Sequence, residues 1–306
     1  MWVQAQSRLT VPLSRASREL GRLEATLKSF EPEEAEGLCK RFALLETEAM
    51  LWGQGLILSR DEIGREILEA RSSSDPEALR LARWSMRRLA GQGAQSELRS
   101  FLGFHAMSGN EANPFIPDLP YRGREFEEAE AEFFAAIDDL GALDPLARGP
   151  AVLQLWRQSG LLRPGQVVEP AVWSARHMAS GAEGVSFVPM GIHGRRVWSG
   201  SGPADLRLGA HLNAVEAGCR EARLLADGLR DWSRRARHVL KGTSGDTADR
   251  LVRALVARPM LFAADAELMA GISRTTAVRL LTRLQSRGLL REITGTRRFR
   301  LWSAVT

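Results

Sequence analysis

Apolar residues recur every three or four positions along most of the chain, which is the spacing of one buried face of an α-helix. Over the first hundred residues this pattern predicts successive amphipathic helices and almost no strand. Helix-start signals agree with it. Ser59 and Glu62 form a capping-box pair, and Asp75-Pro76 supplies a cap followed by a first-turn proline. The first part of the chain is therefore expected to be α-helical.

Helical periodicity resumes at Glu125 to Leu140 and at Leu146 to Ser159. It returns from Ala204 to Lys241, which fits one long helix or two helices with a break. Residues 108 to 124 are rich in Gly, Pro and Asn and predict a long loop. The glycine-rich segment Gly181 to Gly202 predicts irregular backbone with short strands around VSFVPM and RRVW. A surface flap and the rim of an effector pocket fit this segment equally.

The last sixty residues carry a different succession of elements, after a short linker that starts at Gly242. Thr247 to Ala257 and Ala263 to Ala270 predict two helices. Ser273 is placed to cap a third helix that runs to about Arg287. The apolar stripe of this third helix consists of Ala277, Leu280, Leu281 and Leu284. Alternating residues on both sides of Thr294-Gly295-Thr296 then predict a hairpin.

Two helices joined by the tight turn Gly271-Ile272 and followed by a hairpin are typical of a winged helix-turn-helix. The predicted fold class is therefore mainly α, with a helical N-terminal domain followed by a C-terminal winged helix-turn-helix. We place the first domain at residues 1–242, for scaffolding, oligomerisation or sensing. We expect residues 243–306 to form the second domain, a winged helix-turn-helix that would bind DNA.

Charge is distributed unevenly between these two parts. The chain has a net charge of +5, but Arg274 to Thr306 contains eight arginines and one acid, which leaves −2 for the other residues. A basic end on a mildly acidic body predicts a polyanionic partner. The candidate DNA-binding residues lie on the free face of the third helix and on the hairpin. They are Arg274, Thr275, Thr276, Arg279, Arg283, Arg297, Arg298 and Arg300.

Each of these residue types has a role at a DNA surface. Arginine can bridge guanine with two hydrogen bonds, threonine can meet a base or a phosphate, and hairpin arginines lie along the backbone or in the minor groove. The alternative is a solvated basic face that docks an acidic protein partner. A second basic cluster either adds phosphate contacts or only decorates the end of a helix. It consists of Arg234, Arg235, Arg237, His238 and Lys241.

The remaining chemistry-bearing residues show no catalytic spacing. The five histidines lack HxxxH or HExxH spacing, and the sequence contains no P-loop, GxGxxG or GxSxG motif. Cys39 and Cys219 lie far apart in helical patterns, which predicts buried free thiols. We therefore expect no metal and no cofactor. Neither an apolar run of membrane-spanning length nor a signal-peptide core is present, which predicts a cytoplasmic protein without a membrane partner.

Two stretches of the sequence resemble Fic-family proteins. RFALLETEAMLWGQGLILSRDEIGREIL resembles their early helical segment, and ARPMLFAADAELMAGISRTTAVRLLTRLQSRGLLREITGTRRFRLW resembles the winged helix that ends many of them. The layout also resembles a bacterial family of unknown function, in which a helical domain is joined to a C-terminal helix-turn-helix. The resemblance implies a Fic-like body and a DNA-binding end.

The Fic resemblance stops at the catalytic motif. Fic enzymes transfer a nucleotidyl group with a His-Pro-Phe motif and an acidic-Gly-Asn-Gly-Arg turn, where the histidine acts as base and the turn holds phosphates at a helix N-terminus. Here Asn113-Pro114-Phe115 has no histidine, and PLARGPAVLQLWRQSGLLRPGQ has neither part of the motif. We therefore expect a degenerate Fic-like body that is not an enzyme.

The functional hypothesis that follows is a bacterial DNA-binding protein that regulates transcription. Its partner is double-stranded DNA, and it is expected to act as a homodimer because one winged helix specifies only a few base pairs. A small-molecule effector is not identified by the sequence. Two alternatives stay open: a Fic-related nucleotidyl transferase, and a protein-interaction module whose winged helix docks an acidic partner.

Overall fold

The computed structural model describes residues 1–68, 75–103, 124–161, 165–243, 245–295 and 299–306. Helices dominate this part of the chain, as the periodicity predicts. The α-helices are α1 Trp2–Arg8, α2 Thr10–Lys28, α3 Pro32–Gly53, α4 Arg60–Ile67, α5 Pro76–Leu89, α6 Leu98–Leu102, α7 Arg124–Asp138, α8 Pro145–Gln158, α9 Val168–Met178, α10 Ala204–Val239, α11 Thr247–Ala257, α12 Ala263–Ala270 and α13 Arg274–Ser286. The strands are β1 Met260–Phe262, β2 Leu290–Glu292 and β3 Leu301–Ala304. The loop predicted at residues 108 to 124 lies, apart from Arg124, outside the described residues.

The predicted helix-start signals are confirmed in atomic detail. The Ser59 hydroxyl accepts a hydrogen bond from the backbone N–H of Glu62, and the Glu62 carboxylate accepts one from the Ser59 N–H at 2.9 Å. The Asp75 carboxylate accepts hydrogen bonds from the N–H groups of Glu77 and Ala78, ahead of α5. These side chains satisfy donors that a helix leaves free at its first turn.

Helix α10 forms the spine of the body. It is one uninterrupted helix of 36 residues, so the alternative with a break is wrong. It packs along α2 and also contacts α1, α8 and α11. Beside it α8 packs on α9, where Trp156 and Trp173 each meet Phe133 edge to face at 5.2 and 5.1 Å between ring centroids. Within the described ranges, every helix is too short or too polar to cross a bilayer.

The segment Gly181–Gly202 does not form the strands predicted around VSFVPM and RRVW. It contains a 3₁₀ turn at Gly191–Gly194, and its large apolar side chains Phe187, Val188, Met190 and Trp198 are buried against the helices. The N–H of Val188 donates to the carbonyl of Ala175 on α9 at 2.9 Å, and other backbone donors of the segment close local turns, such as that of Trp198 to the carbonyl of Gly194 at 3.0 Å. Because turns and a neighbouring helix provide acceptors for these backbone donors, they do not need a partner strand.

After α10 the chain forms three helices and a small antiparallel sheet with strand order β1-β3-β2. Leu261 pairs with Trp302 in β3, and Trp302 pairs on its other side with Glu292. The sequence did not predict β1, because three apolar residues between Pro259 and α12 have no detectable period. The hairpin strands predicted around residue 295 are present as β2 and β3, and the N–H of Ile293 donates to the carbonyl of Leu301 at 2.9 Å.

In the described part of the C-terminal segment, α11 packs on α3, and α11 and α13 pack on α10. The guanidinium of Arg41 donates to the carbonyls of Leu255 and Arg258, both at 2.7 Å, and to that of Val256 at 2.5 Å. Beside it, a Cβ added to Gly37 would lie 2.4 Å from the Val256 carbonyl oxygen, so only glycine permits this approach. From α10, the indole N–H of Trp232 donates to the carbonyl of Leu289 at 2.7 Å. The division into domains at residue 242 stays a prediction.

Candidate nucleic-acid interface

Helices α12 and α13 meet at a sharp turn that the sequence specifies. Gly271 has left-handed backbone (φ 58°, ψ 44°), which glycine adopts without steric cost. The Ser273 hydroxyl then accepts a hydrogen bond from the Thr276 N–H at 3.2 Å and caps α13. The predicted stripe of α13 is buried throughout: Ala277, Leu280, Leu281 and Leu284 are each 2% exposed or less. One face of α13 is therefore buried in the core, and the opposite face is exposed to solvent.

The solvent face of α13 carries most of the helix residues predicted to bind DNA. Arg274, Thr275, Arg279 and Arg283 are all exposed. Thr276 is half-buried and belongs to the cap, since its hydroxyl accepts a hydrogen bond from the Ser273 hydroxyl at 2.9 Å. No acidic residue occurs between Arg274 and Ser286. This face therefore presents arginines and a threonine without an acid of its own helix.

Arg274 is the exception among these arginines because it has a carboxylate partner. Its Nε lies 2.6 Å from Oε2 of Glu267 on α12, and both side chains are partly exposed. An exposed pair of this kind contributes little to stability. It nevertheless orients the guanidinium at the start of α13, where α12 and α13 meet.

The hairpin arginines are only partly within the described residues. Arg297 and Arg298 lie outside them, whereas Arg300 is half-buried near the base of the hairpin. Burial alone would raise the pKa of Glu292, but hydrogen bonds from Thr294 and Gly295 and the charge of Arg300 lower it overall. The ionised Glu292 thus holds the turn that follows β2, with the Gly295 N–H donating to it at 3.0 Å.

A basic groove adjoins the C-terminal end of α13. Arg234, Arg235 and His238 on α10 line it together with Arg287, the residue that follows α13. The acid among its lining residues, Asp231, is paired with Arg234. Arg237 of the same helix pairs instead with Asp249 on α11, with 2.7 Å between Nε of Arg237 and Oδ1 of Asp249. Sequence reasoning found the α10 cluster but missed Arg287, because nothing in the sequence places residue 287 beside residue 235.

Comparison with known proteins gives one kind of match. No protein-family model and no curated protein sequence matches this chain. Among solved structures, it is similar to the crystal structure of a Fic family protein from Desulfovibrio desulfuricans G20, with a TM-score of 0.53 and 13% sequence identity over 96% of each chain. The fold is Fic-like. At this coverage the Fic-like fold extends beyond residue 242, into the segment that carries α11 to β3.

Helix α9 begins just after the segment in which the resemblance places a phosphate-binding turn. The amide oxygen of Gln54 accepts hydrogen bonds from the N–H groups of Val167 and Val168 at 2.9 and 3.0 Å. Both valines are buried. A side chain from the end of α3 therefore occupies donors that a phosphate would use at a helix N-terminus.

Two histidines of the described body, His177 and His211, are packed against other side chains. His211 is fully buried against Met178, and His177 stacks on Trp173 with ring centroids 4.7 Å apart. Burial lowers the pKa of His211 to about 3 and that of His177 to about 4, with smaller effects from nearby arginines. Both rings are thus neutral at physiological pH. His105 lies outside the described residues.

Proposed function

We propose that the segment from α11 to β3 is a winged helix-turn-helix and that this protein is a DNA-binding transcriptional regulator. The supporting observation is the division of α13 into a buried apolar stripe and an acid-free solvent face with Arg279 and Arg283. A helix of this kind can enter a major groove without unpacking. A protein with this role acts on double-stranded DNA in the cytoplasm.

The basic groove, which is lined in part by α10 of the body, supports the same proposal. Arg235 and Arg287 come from different elements and line one concave surface. Phosphate contacts carry most of the salt-dependent affinity of DNA-binding proteins, whereas contacts to base edges carry the sequence preference. We therefore assign α13 to base contacts and the groove to the DNA backbone.

Fluorescence anisotropy on DNA from upstream of the gene and on scrambled DNA, over a salt series, tests this assignment. Arg279→Ala and Arg283→Ala are expected to weaken binding to the preferred sequence by about 1–3 kcal/mol and to random DNA much less. Arg235→Ala and Arg287→Ala are expected to weaken both equally and to reduce the salt slope by about one unit each.

Arg220→Ala is the matched control, because Arg220 lies on α10 and pairs with Glu216 at 2.6 Å, away from the groove. Unchanged binding is expected. Equal losses on both DNAs for every arginine would contradict the division of roles. Absence of DNA binding at low salt would refute the function itself and would favour the docking of an acidic protein partner.

A homodimer completes the proposal, because a single winged helix covers too few base pairs for useful specificity. Sedimentation of the free protein and of its DNA complex measures the stoichiometry. Two chains per specific site are expected. One chain per site, with undiminished specificity, would remove the dimer from the proposal.

Nucleotidyl transfer is the second candidate, and the Fic-like fold is the observation that favours it. Against it stand the missing motif and the Gln54 side chain at the start of α9. Incubation with labelled ATP and other nucleotides, followed by intact mass measurement, distinguishes the two. A nucleotide adduct on this protein or on a target would establish transfer chemistry.

A further inference from the structure

A fully buried carboxyl group lies at the meeting point of α3, α10 and the Gly191–Gly194 turn. Glu46 on α3 is 0% exposed. Its Oε2 accepts hydrogen bonds from the N–H groups of Met190 and Gly191 at 2.9 and 2.6 Å. Its Oε1 is also buried and has no hydrogen-bond partner among the described residues. A buried carboxyl oxygen without a partner costs free energy in either protonation state, so the site lacks a donor or an acceptor.

Glu46 lines a recess of about 20 Å³, which is room for one water-sized group. The floor is fixed by glycine. A Cβ added to Gly218 on α10 would lie 2.4 Å from the carbonyl oxygen of Pro189, and Gly191 has a left-handed φ of 54°. Backbone contacts therefore fix how closely α10 approaches the turn at this recess.

A second carboxylate stands at the mouth of the recess. Glu221 lines it from α10, and its Oε2 is 3.4 Å from Nε2 of His193 on the turn. Ile192, which is 51% exposed, and Leu45 give the same mouth an apolar side. Two acids with an apolar edge match a cation that carries a short hydrocarbon chain. The described residues contain no cluster of three side chains that could hold a metal ion.

We propose that this recess binds the ammonium headgroup of a small primary aliphatic amine between Glu46 and Glu221. The ammonium group supplies the donor that Oε1 of Glu46 lacks, and its positive charge reduces the repulsion between the two carboxylates. The short alkyl chain lies against Ile192 and Leu45. The site is independent of the proposed DNA binding, and it makes Gly181–Gly202 the rim of a ligand pocket.

Isothermal titration calorimetry with butylammonium chloride on the full-length protein tests the proposal, with 1-butanol as an uncharged probe of similar shape. Saturable binding of butylammonium and none of 1-butanol are expected. Glu46→Gln and Glu221→Gln are each expected to weaken binding by at least about tenfold. Glu216→Gln, also on α10 but paired with Arg220 away from the recess, is the control and should bind normally.

Proton release gives a readout that a merely destabilised variant does not mimic. Desolvation raises the pKa of Glu46 to about 7, and a bound ammonium ion requires the ionised form. Binding is therefore expected to release most of a proton near pH 6 and almost none near pH 8, measured in buffers of different ionisation enthalpy. The other titratable groups around Glu46 are Glu221 and Cys219 on α10 and His193 on the turn.

Two variants show which of these groups releases the proton. His193→Gln should retain the proton release, and Glu46→Gln should lose it. If Glu46→Gln does not fold, Glu221→Gln and the wild-type proton release still decide the matter. No heat from butylammonium at millimolar concentration, equal binding of 1-butanol, or a proton release that persists in a folded Glu46→Gln protein would overturn the proposal.

Discussion

Single residues fix several close approaches in this molecule, and Gly218 shows how. Gly218 lies on α10 beside the backbone of Pro189 and Met190. A Cβ added to it would lie 2.4 Å from the carbonyl oxygen of Pro189 and 2.4 Å from Cα of Met190. Backbone cannot rotate away as a flexible side chain can. A larger residue at this position must therefore separate α10 from the segment that carries Met190.

We predict that Gly218→Val lowers the free energy of unfolding by about 2 kcal/mol or more, because overpacking displaces backbone. Gly228→Ala, on the same helix, is the control. A Cβ at residue 228 meets nothing within 4 Å, so the gain in helix propensity should leave stability equal or slightly higher. Urea unfolding followed by tryptophan fluorescence measures both. Equal stability of the two variants would contradict the packing argument.

The burial of His211 predicts how the stability of the protein changes at acidic pH. Its folded-state pKa of about 3 lies well below that of an exposed histidine. The unfolded chain therefore binds a proton that the folded chain does not, and stability falls as pH drops from about 6.5 toward 3. Glu46 acts in the opposite direction, because its pKa is raised and its protonated folded form gains stability as pH falls through about 7.

The measurement is therefore the difference between wild type and His211→Gln, in which the contribution of Glu46 cancels. We expect the urea midpoint to fall less between pH 7 and pH 5 in His211→Gln than in wild type, whatever its midpoint at pH 7. The same loss in both proteins would mean that His211 is protonated in the folded state.

Some contacts of single residues could not be predicted from the sequence. The partners of Glu46 at Met190 and Gly191 are more than 140 positions away, and the Val167 donor is 113 positions from Gln54. Periodicity identifies which face of a helix is buried, but it carries no information about which distant backbone group meets a polar side chain. The recess and the Gln54 contact therefore required the three-dimensional structure.

At the scale of elements, prediction succeeded where a long period or a chemical cap was present. The boundaries of α13 follow from Ser273 and from its apolar stripe, and α4 follows from Ser59 and Glu62. It failed where elements are short. Strand β1 has three residues, and the apolar alternation in Gly181–Gly202 reflects burial against helices and no strand pairing.

The cap of α13 supplies a prediction at this scale. Ser273→Ala removes the acceptor for the Thr276 N–H and is expected to cost about 1 kcal/mol of unfolding free energy. Ser286→Ala, at the other end of α13, removes only an exposed hydroxyl that donates to the Arg283 carbonyl, and should be nearly neutral. Thermal unfolding by circular dichroism compares the two. A neutral Ser273→Ala would show that α13 is held by its stripe alone.

At the scale of the whole molecule, the clearest feature is the attachment of α11 and of the start of the hairpin to the body. Arg41 on α3 satisfies carbonyls at the end of α11, and Trp232 on α10 reaches the carbonyl before β2. Burial lowers the pKa of Arg41 to about 9, and its guanidinium is still charged at neutral pH. One side chain thus serves several acceptors, which lysine cannot reproduce with its single nitrogen.

We predict that Arg41→Leu loosens α11 and the strands of the small sheet while the body stays folded. Hydrogen exchange should accelerate in α11 and β3 and remain unchanged in α8 and α9, because only the former lose their anchor. Lys40→Gln, which changes the neighbouring residue and its pair with exposed Glu36, is the control and should exchange like wild type. Uniform acceleration in Arg41→Leu would indicate global destabilisation.

The Arg41 anchor has a consequence for the DNA sites that a dimer would recognise. If α11 cannot swing relative to α3, two copies joined through their bodies hold their α13 helices at one separation and one relative angle. Such a dimer would not tolerate a change in the spacing between the two half-sites. Insertion of five base pairs between its half-sites would turn one of them to the opposite side of the duplex, and binding would return only when a full helical turn of about 10.5 base pairs is added.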